Sequence, residues 1–358
     1  MKSFLLCALS LVSVAADRVC NNSPSLCSKP YDTITHFGAH DSPFLRDQST
    51  SFSSFGNQFF NSTTQLDAGV RLLSTQIHVA TNENDGKREL HICHTSCSLF
   101  DAGPLQNWLW GIRGWIDAHP NDVVTILLVN YGNADAREIE EEYSKADIAH
   151  YGYVPQNINK AVPLSNETHP TWPTLSNMIE RGERLVTFVN PVKPDKENAP
   201  YLLNEFTFLW ENAYAISDPK NFTCQPDRPE HQTIYGMHKS GRLFLMNHFL
   251  YWQQAFGIQV PDVRNINSEC ANQVTRQPTF VLVDFFNVGA ALKSIDIFNK
   301  VEQPVGRPNV TGMVVIGGRV AVERTSEAAR PTMRFGHGRP SLKPGSDELP
   351  PATGQKEG

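Results

Sequence analysis

Short apolar runs recur along this chain, each bounded by polar or turn-forming residues. Eight of them read as strands: residues 34–39, 70–77, 89–92, 123–130, 185–190, 206–210, 243–247 and 279–285. The fourth is nearly continuous, with Val123, Val124, Ile126, Leu127, Leu128 and Val129 interrupted by a single threonine. A strand buried on both faces has this character, as in a parallel sheet covered by helices. Between the runs the period changes. Leu105, Trp108, Leu109, Ile112, Trp115 and Ile116 recur at helical spacing over residues 105–118, weakened by Gly111 and Gly114. Residues 135–147 read as an exposed acidic helix and residues 175–184 as a third helix. Strands with intervening helices predict an α/β fold, a TIM-type (β/α)8 barrel, in which chemistry gathers at the C-terminal ends of the strands.

Two histidines fall just past such ends. His40 lies in Gly38-Ala39-His40-Asp41-Ser42, and His94 follows Leu90-His91-Ile92-Cys93. Two positioned imidazoles suit a reaction in which one proton leaves a nucleophile while another reaches a leaving group. Asp41 follows His40 directly and can orient it. Asp284 ends the last apolar run; a buried carboxylate needs a partner, and His94 is the natural candidate. Glu211 follows the sixth run and Asn247 ends the seventh. In a barrel both would rim the same mouth, where they bind substrate hydroxyls or simply satisfy neighbouring polar groups.

The chain has 358 residues, 40% of them hydrophobic, and a net charge of −6. That is ample material for one large barrel. The charge argues against a nucleic-acid partner and leaves a zwitterionic lipid or neutral polyol phosphate unrepelled. Lys2, the apolar stretch from Phe4 to Val14 and Val14-Ala15-Ala16 predict a secretory signal over residues 1–16. The barrel would then occupy residues 17–300. Residues 301–358 are rich in Pro, Gly, Arg, Ser and Glu and read as a mostly disordered tail. Without Cys7, six cysteines remain, an even number that suggests disulfides in a secreted chain. Fifteen pairings are open; the expectation is neighbour pairing, 20–27, 93–97 and 224–270, with a zinc site at Cys93, His94 and Cys97 as the weaker alternative. Five Asn-x-Ser/Thr sequons begin at Asn21, Asn61, Asn166, Asn221 and Asn309 and are in keeping with export. Tyr251, Trp252 and Phe256 are candidates for a lip that touches lipid.

The block Gly38 to Ser42 resembles the first catalytic segment of the phosphatidylinositol-specific phospholipase C family, usually a Gly-Thr-His-Asp/Asn-Ser type of sequence. Leu66-Asp67-Ala68-Gly69-Val70-Arg71-Leu72-Leu73 is similar to the segment that leads into the family's second strand. Ile92-Cys93-His94-Thr95 sits where the second catalytic histidine lies. Phe280-Val281-Leu282-Val283-Asp284-Phe285-Phe286 resembles the last strand, whose aspartate supports that second histidine. Order and spacing agree from Pro30 to Leu292. The resemblance implies a distorted or incomplete barrel. It also implies a stepwise reaction in which His40 takes the inositol 2-hydroxyl proton and His94 protonates the departing glycerol oxygen. A cyclic phosphate forms first and water can then open it.

The chain departs from the family where charge is needed. Bacterial relatives carry an aspartate and an arginine two residues apart on the second strand, and calcium-dependent relatives carry acidic ligands there. Here those positions are Ser74 and Gln76, and Asn130 replaces a frequently charged residue on the fourth strand. Positive charge for the phosphate can come from a protonated His78, in phase with Gln76, or from calcium held by Asp41, Gln76 and Asn130, a set that would bind weakly. The leading reading is a secreted phosphoric diester hydrolase acting on a phospholipid or another phosphodiester, with transient contact to a membrane surface. The rivals are a metal-dependent phosphodiesterase on another diester, and a non-catalytic barrel that binds an inositol or sugar phosphate. No Gly-x-Ser-x-Gly elbow and no Gly-x-Gly-x-x-Gly turn is present, which disfavours serine hydrolases and dinucleotide enzymes.

Overall fold

The computed structural model describes residues 18–81, 86–166, 168–250 and 276–310, and the backbone of Met313–Ile316 and Arg319–Val322. The expected signal, the Tyr251, Trp252 and Phe256 lip, and nearly all of the expected tail beyond residue 310 lie outside the described residues.

Ten strands form the main sheet: β1 (His36–Ala39), β2 (Leu72–Thr81), β3 (Arg88–Cys93), β4 (Asp101–Pro104), β5 (Val124–Asn130), β6 (Leu185–Asn190), β7 (Leu202–Asn204), β8 (Leu209–Glu211), β9 (Leu243–Asn247) and β10 (Phe280–Val283). Eight run parallel in the order β7-β6-β5-β2-β1-β10-β9-β8. Followed around, this is chain order, so the sheet is a TIM-type barrel. It is an incomplete one. Its edges, β7 and β8, share no ladder, and a single helical turn, Glu205–Phe208, joins them. Among the described residues the other α-helices are α1 (Ser62–Asp67), α2 (Leu105–Ala118), α3 (Ala136–Lys145), α4 (Leu175–Arg181), α6 (Ile234–Ser240) and α7 (Ala291–Asn299), with the seam turn as α5. Asp135 caps α3 in a reciprocal box with Glu138, and Gly182, at φ +75°, ends α4.

Two of the eight expected strands are corrected. Residues 89–92 do belong to a strand, but β3 pairs antiparallel with the overlong β2 and with β4, so it is an excursion rather than a barrel stave. Residues 206–210 begin as helix because Asn204 caps the turn, accepting the Thr207 N–H at 3.1 Å. The stave missing from the sequence reading is β7, only three residues long.

Side chains alternate across each stave, and the alternation sorts the core into two clusters. Leu72, Leu127, Phe188, Leu203, Leu245, Phe280 and Leu282 fill the lumen. Leu73, Ile126, Leu128, Val189, Met246, Val281 and Val283 pack outward beneath the helices. Gly38 belongs to the lumen set, where an added Cβ would sit 2.9 Å from Leu282 and 3.0 Å from Leu72. Below it, His36 packs between Tyr31 and Phe280. Burial pushes its pKa down to about 4, so it is a neutral structural histidine.

Candidate active site

The alternation carries directly to the mouth. His40 continues the lumen phase of Gly38, Asp284 that of Leu282, Gln76 that of Leu72 and Ser74, Asn247 that of Leu245, and Glu211 that of Leu209. Because Ala39 is paired with Val283, His40 and Asp284 emerge side by side. His40 Nδ1 and Asp284 Oδ1 are 2.9 Å apart. This corrects the expected partnership: Asp284 is bonded to His40, not to His94.

Asp41 stands between the two imidazoles instead of orienting one of them through Nδ1. Its Oδ2 lies 3.6 Å from His40 Nε2 and 3.4 Å from His94 Nε2. The backbone N–H of Asp41 donates to Ser74 Oγ at 3.0 Å. Gln76 Nε2 donates to Asp41 Oδ2, and Gln76 Oε1 accepts the Thr95 N–H, both at 2.8 Å. His94 reaches this place from the end of β3, in a loop closed by the Cys93–Cys97 disulfide. Cys20 and Cys27 form the other expected short bridge. Of the third expected pair, Cys224 is disulfide-bonded and Cys270 lies outside the described residues. With Cys93 and Cys97 joined, the thiolates that a zinc site needs are absent there.

The imidazoles differ electrostatically. Burial would lower the His40 imidazolium, but Asp41, Asp284 and the Nδ1 hydrogen bond together hold its pKa above the ordinary value. At His94, burial and the neighbouring His40 outweigh Asp41, and the pKa falls. Both imidazoles face the one carboxylate of Asp41.

The remaining expected residues divide. Asn130 is out of phase with the lumen, sharing the outward phase of Ile126 and Leu128. Both of its amide protons are engaged, by Ala134 O and Pro191 O, so it neither meets substrate nor completes a metal site. Gln76 is held at both ends, and calcium ligation by Asp41, Gln76 and Asn130 therefore does not fit. His78 stacks on Tyr131 at 5.3 Å. Burial lowers its pKa, which opposes the expected imidazolium. Glu211 and Asn247 do stand at the mouth, bonded to one another at 2.6 Å, with Arg228 on Glu211 at 2.7 Å.

Several site residues escaped the sequence reading. Asn57 Nδ2 donates to Asp284 Oδ1 at 3.0 Å, and Gln58 Nε2 to His40 O at 2.8 Å. Phe249 stacks on His40, with ring centroids 3.8 Å apart and 7° between planes. Phe249 could have been found, since it lies two residues beyond Asn247 in the lumen phase. Asn57 meets Asp284 across 227 residues of sequence, and nothing local announces it.

The family model for the PI-PLC X domain (PI-PLC X 1) matches residues 26–299. A PI-PLC X domain-containing protein 1 of Arthroderma benhamiae is 33% identical over 302 residues, covering 80% of this chain and 91% of the relative. A protein of the same species named an uncharacterized secreted protein is 29% identical over 290 residues, 76% of this chain and 61% of its own length. Among solved structures, phosphatidylinositol-specific phospholipase C from Listeria monocytogenes aligns at TM-score 0.48 with 14% identity, over 79% of this chain and 99% of that one. A Staphylococcus aureus phosphatidylinositol-specific phospholipase C aligns at TM-score 0.47 with 15% identity, over 75% and 93%.

Proposed function

Given that the chain belongs to the phosphatidylinositol-specific phospholipase C X-domain family, we propose that it is a phosphoric diester hydrolase that opens phosphoinositide-like substrates through a cyclic phosphate. The observation that carries this reading is the facing pair of imidazoles, one bonded to Asp284 and both turned toward Asp41.

With Nδ1 held by Asp284, His40 presents Nε2 as the base. Nε2 accepts the proton of the substrate's 2-hydroxyl while that oxygen attacks the adjacent phosphorus. The bond from phosphorus to the leaving-group oxygen breaks, and that oxygen takes the proton of His94. Asp284 stabilises the imidazolium formed at His40, as in other His–carboxylate pairs. The raised pKa of His40 makes it the stronger base, and the lowered pKa of His94 makes its imidazolium the stronger acid. One imidazole is cationic at each stage of the transfer. That charge meets the phosphate where the family's arginine is missing. Opening of the cyclic ester by water uses the same two groups in exchanged roles.

Glu211 and Asn247 are read as contacts for the substrate's ring hydroxyls. Phe52, Phe55 and Leu99 are 36%, 38% and 49% exposed, and the Phe55 ring lies 5.8 Å from the His94 imidazole. Residues 48–66 contain no charged side chain. This lip suits transient contact with an uncharged or zwitterionic lipid surface. The N-terminal signal pattern, the disulfides and the secreted relative support a secreted protein.

Hydrolysis of phosphatidylinositol in mixed micelles tests the reading. His94→Ala is expected to lose about 10²–10⁴-fold in turnover, and a chelator to leave the wild-type rate unchanged. Full turnover in His94→Ala would sink the acid assignment, and sensitivity to the chelator would restore a metal.

A further inference from the structure

We propose that Gln76 is the positioning residue of the histidine pair, clamping the two segments that carry it. The inference rests on the functional reading above and deepens it. Gln76 lies on β2, between the two segments. Its amide nitrogen donates to Asp41 Oδ2 and its amide oxygen accepts from Thr95 N–H, each at 2.8 Å. Asp41 directly follows His40, and Thr95 directly follows His94.

Both clamped residues have left-handed backbones, Asp41 at φ +47° and Thr95 at φ +62°. Thr95 is β-branched, and that conformation is costly for such a residue. It persists only where its surroundings hold it, and Thr95 is held on several sides. The Gln76 carbonyl takes its N–H. The Cys93–Cys97 bridge closes the loop, and His94 N–H donates to Phe100 O at 2.9 Å. Asp41 is fixed similarly by Ser74 Oγ on its N–H and by Gln76 on its carboxylate.

The chemistry of the amide matters as much as its reach. Gln76 donates to Asp41 without adding charge. The Asp41 carboxylate faces both Nε2 atoms, and it biases both imidazoles toward their cationic forms. A cation in place of Gln76 would neutralise Asp41 and remove that bias. A side chain unable to accept from Thr95 would release the His94 loop.

Two variants separate these consequences, each checked for a folded far-UV spectrum and cooperative melting. Imidazole resonances of His40 and His94 are titrated by ¹⁵N–¹H NMR, a readout that needs no turnover. In Gln76→Lys both imidazoles are expected to titrate about one unit or more below wild type. Unchanged titrations in the folded variant would overturn the proposed coupling through Asp41. In Gln76→Met, turnover of phosphatidylinositol should fall about 10²-fold, as a misplacement of about 1 Å can cause, with KM little changed. Wild-type turnover in Gln76→Met would overturn the clamp. Should the wild type itself not hydrolyse this lipid, the substrate reading fails while the titrations still decide the role of Gln76.

Discussion

Asp284 shows how one carboxylate sets the behaviour of a whole site. It accepts from His40 Nδ1 and from Asn57, and it helps hold the His40 pKa up. The sign of its removal follows. In Asp284→Asn the His40 pKa drops, because the carboxylate that favoured its cationic form is gone. The singly protonated pair then loses its last proton at lower pH. The alkaline limb of the kcat/KM profile should move toward acid, and turnover should fall about 10²–10⁴-fold. A variant whose alkaline limb stays in place would show that Asp284 does not tune His40. The family resemblance brought Asp284 into the site but paired it with the wrong histidine. That error has a physical origin. The partnership is decided by the register of β1 on β10, which joins residues 244 positions apart, and such register is invisible to a local pattern.

At the level of elements, long apolar runs were legible and short or irregular ones were not. Strands β6 and β9 and helix α2 have the expected limits, because a continuous run or a sustained helical period leaves few alternatives. Strand β7, with three residues, leaves no period to read. Asn130 was misplaced for a related reason: its chemistry attracted attention while its phase on β5 already sent it outward. The β3 excursion is the element that delivers His94, and its Cys93–Cys97 bridge holds the loop from outside the barrel ladder. Cys97→Ser should therefore reduce turnover more than it reduces thermal stability. A large loss of melting temperature with turnover retained at low temperature would contradict that division.

Across the whole molecule, the open seam, the mouth and the lip form a gradient from structure to function. The lower lumen is packed with aromatics around the neutral His36. The upper end carries the two imidazoles, with the exposed Phe55 ring 5.8 Å from His94. Phe55→Ser is expected to weaken sedimentation with phosphatidylcholine vesicles containing phosphatidylinositol, while leaving hydrolysis of a short-chain, monomeric analogue near wild type. Equal loss on both substrates would place Phe55 in the catalytic site rather than at a lipid contact. Phosphorus NMR of the protein with phosphatidylinositol, with His40→Ala as the control, is the decisive test of whether His40 and His94 open a phosphodiester through a cyclic phosphate. A cyclic inositol phosphate resonance that appears with the wild type and is absent with the variant is the expected result. An acyclic inositol phosphate appearing first, or a cyclic signal undiminished in His40→Ala, would rule out this chemistry at the histidine pair.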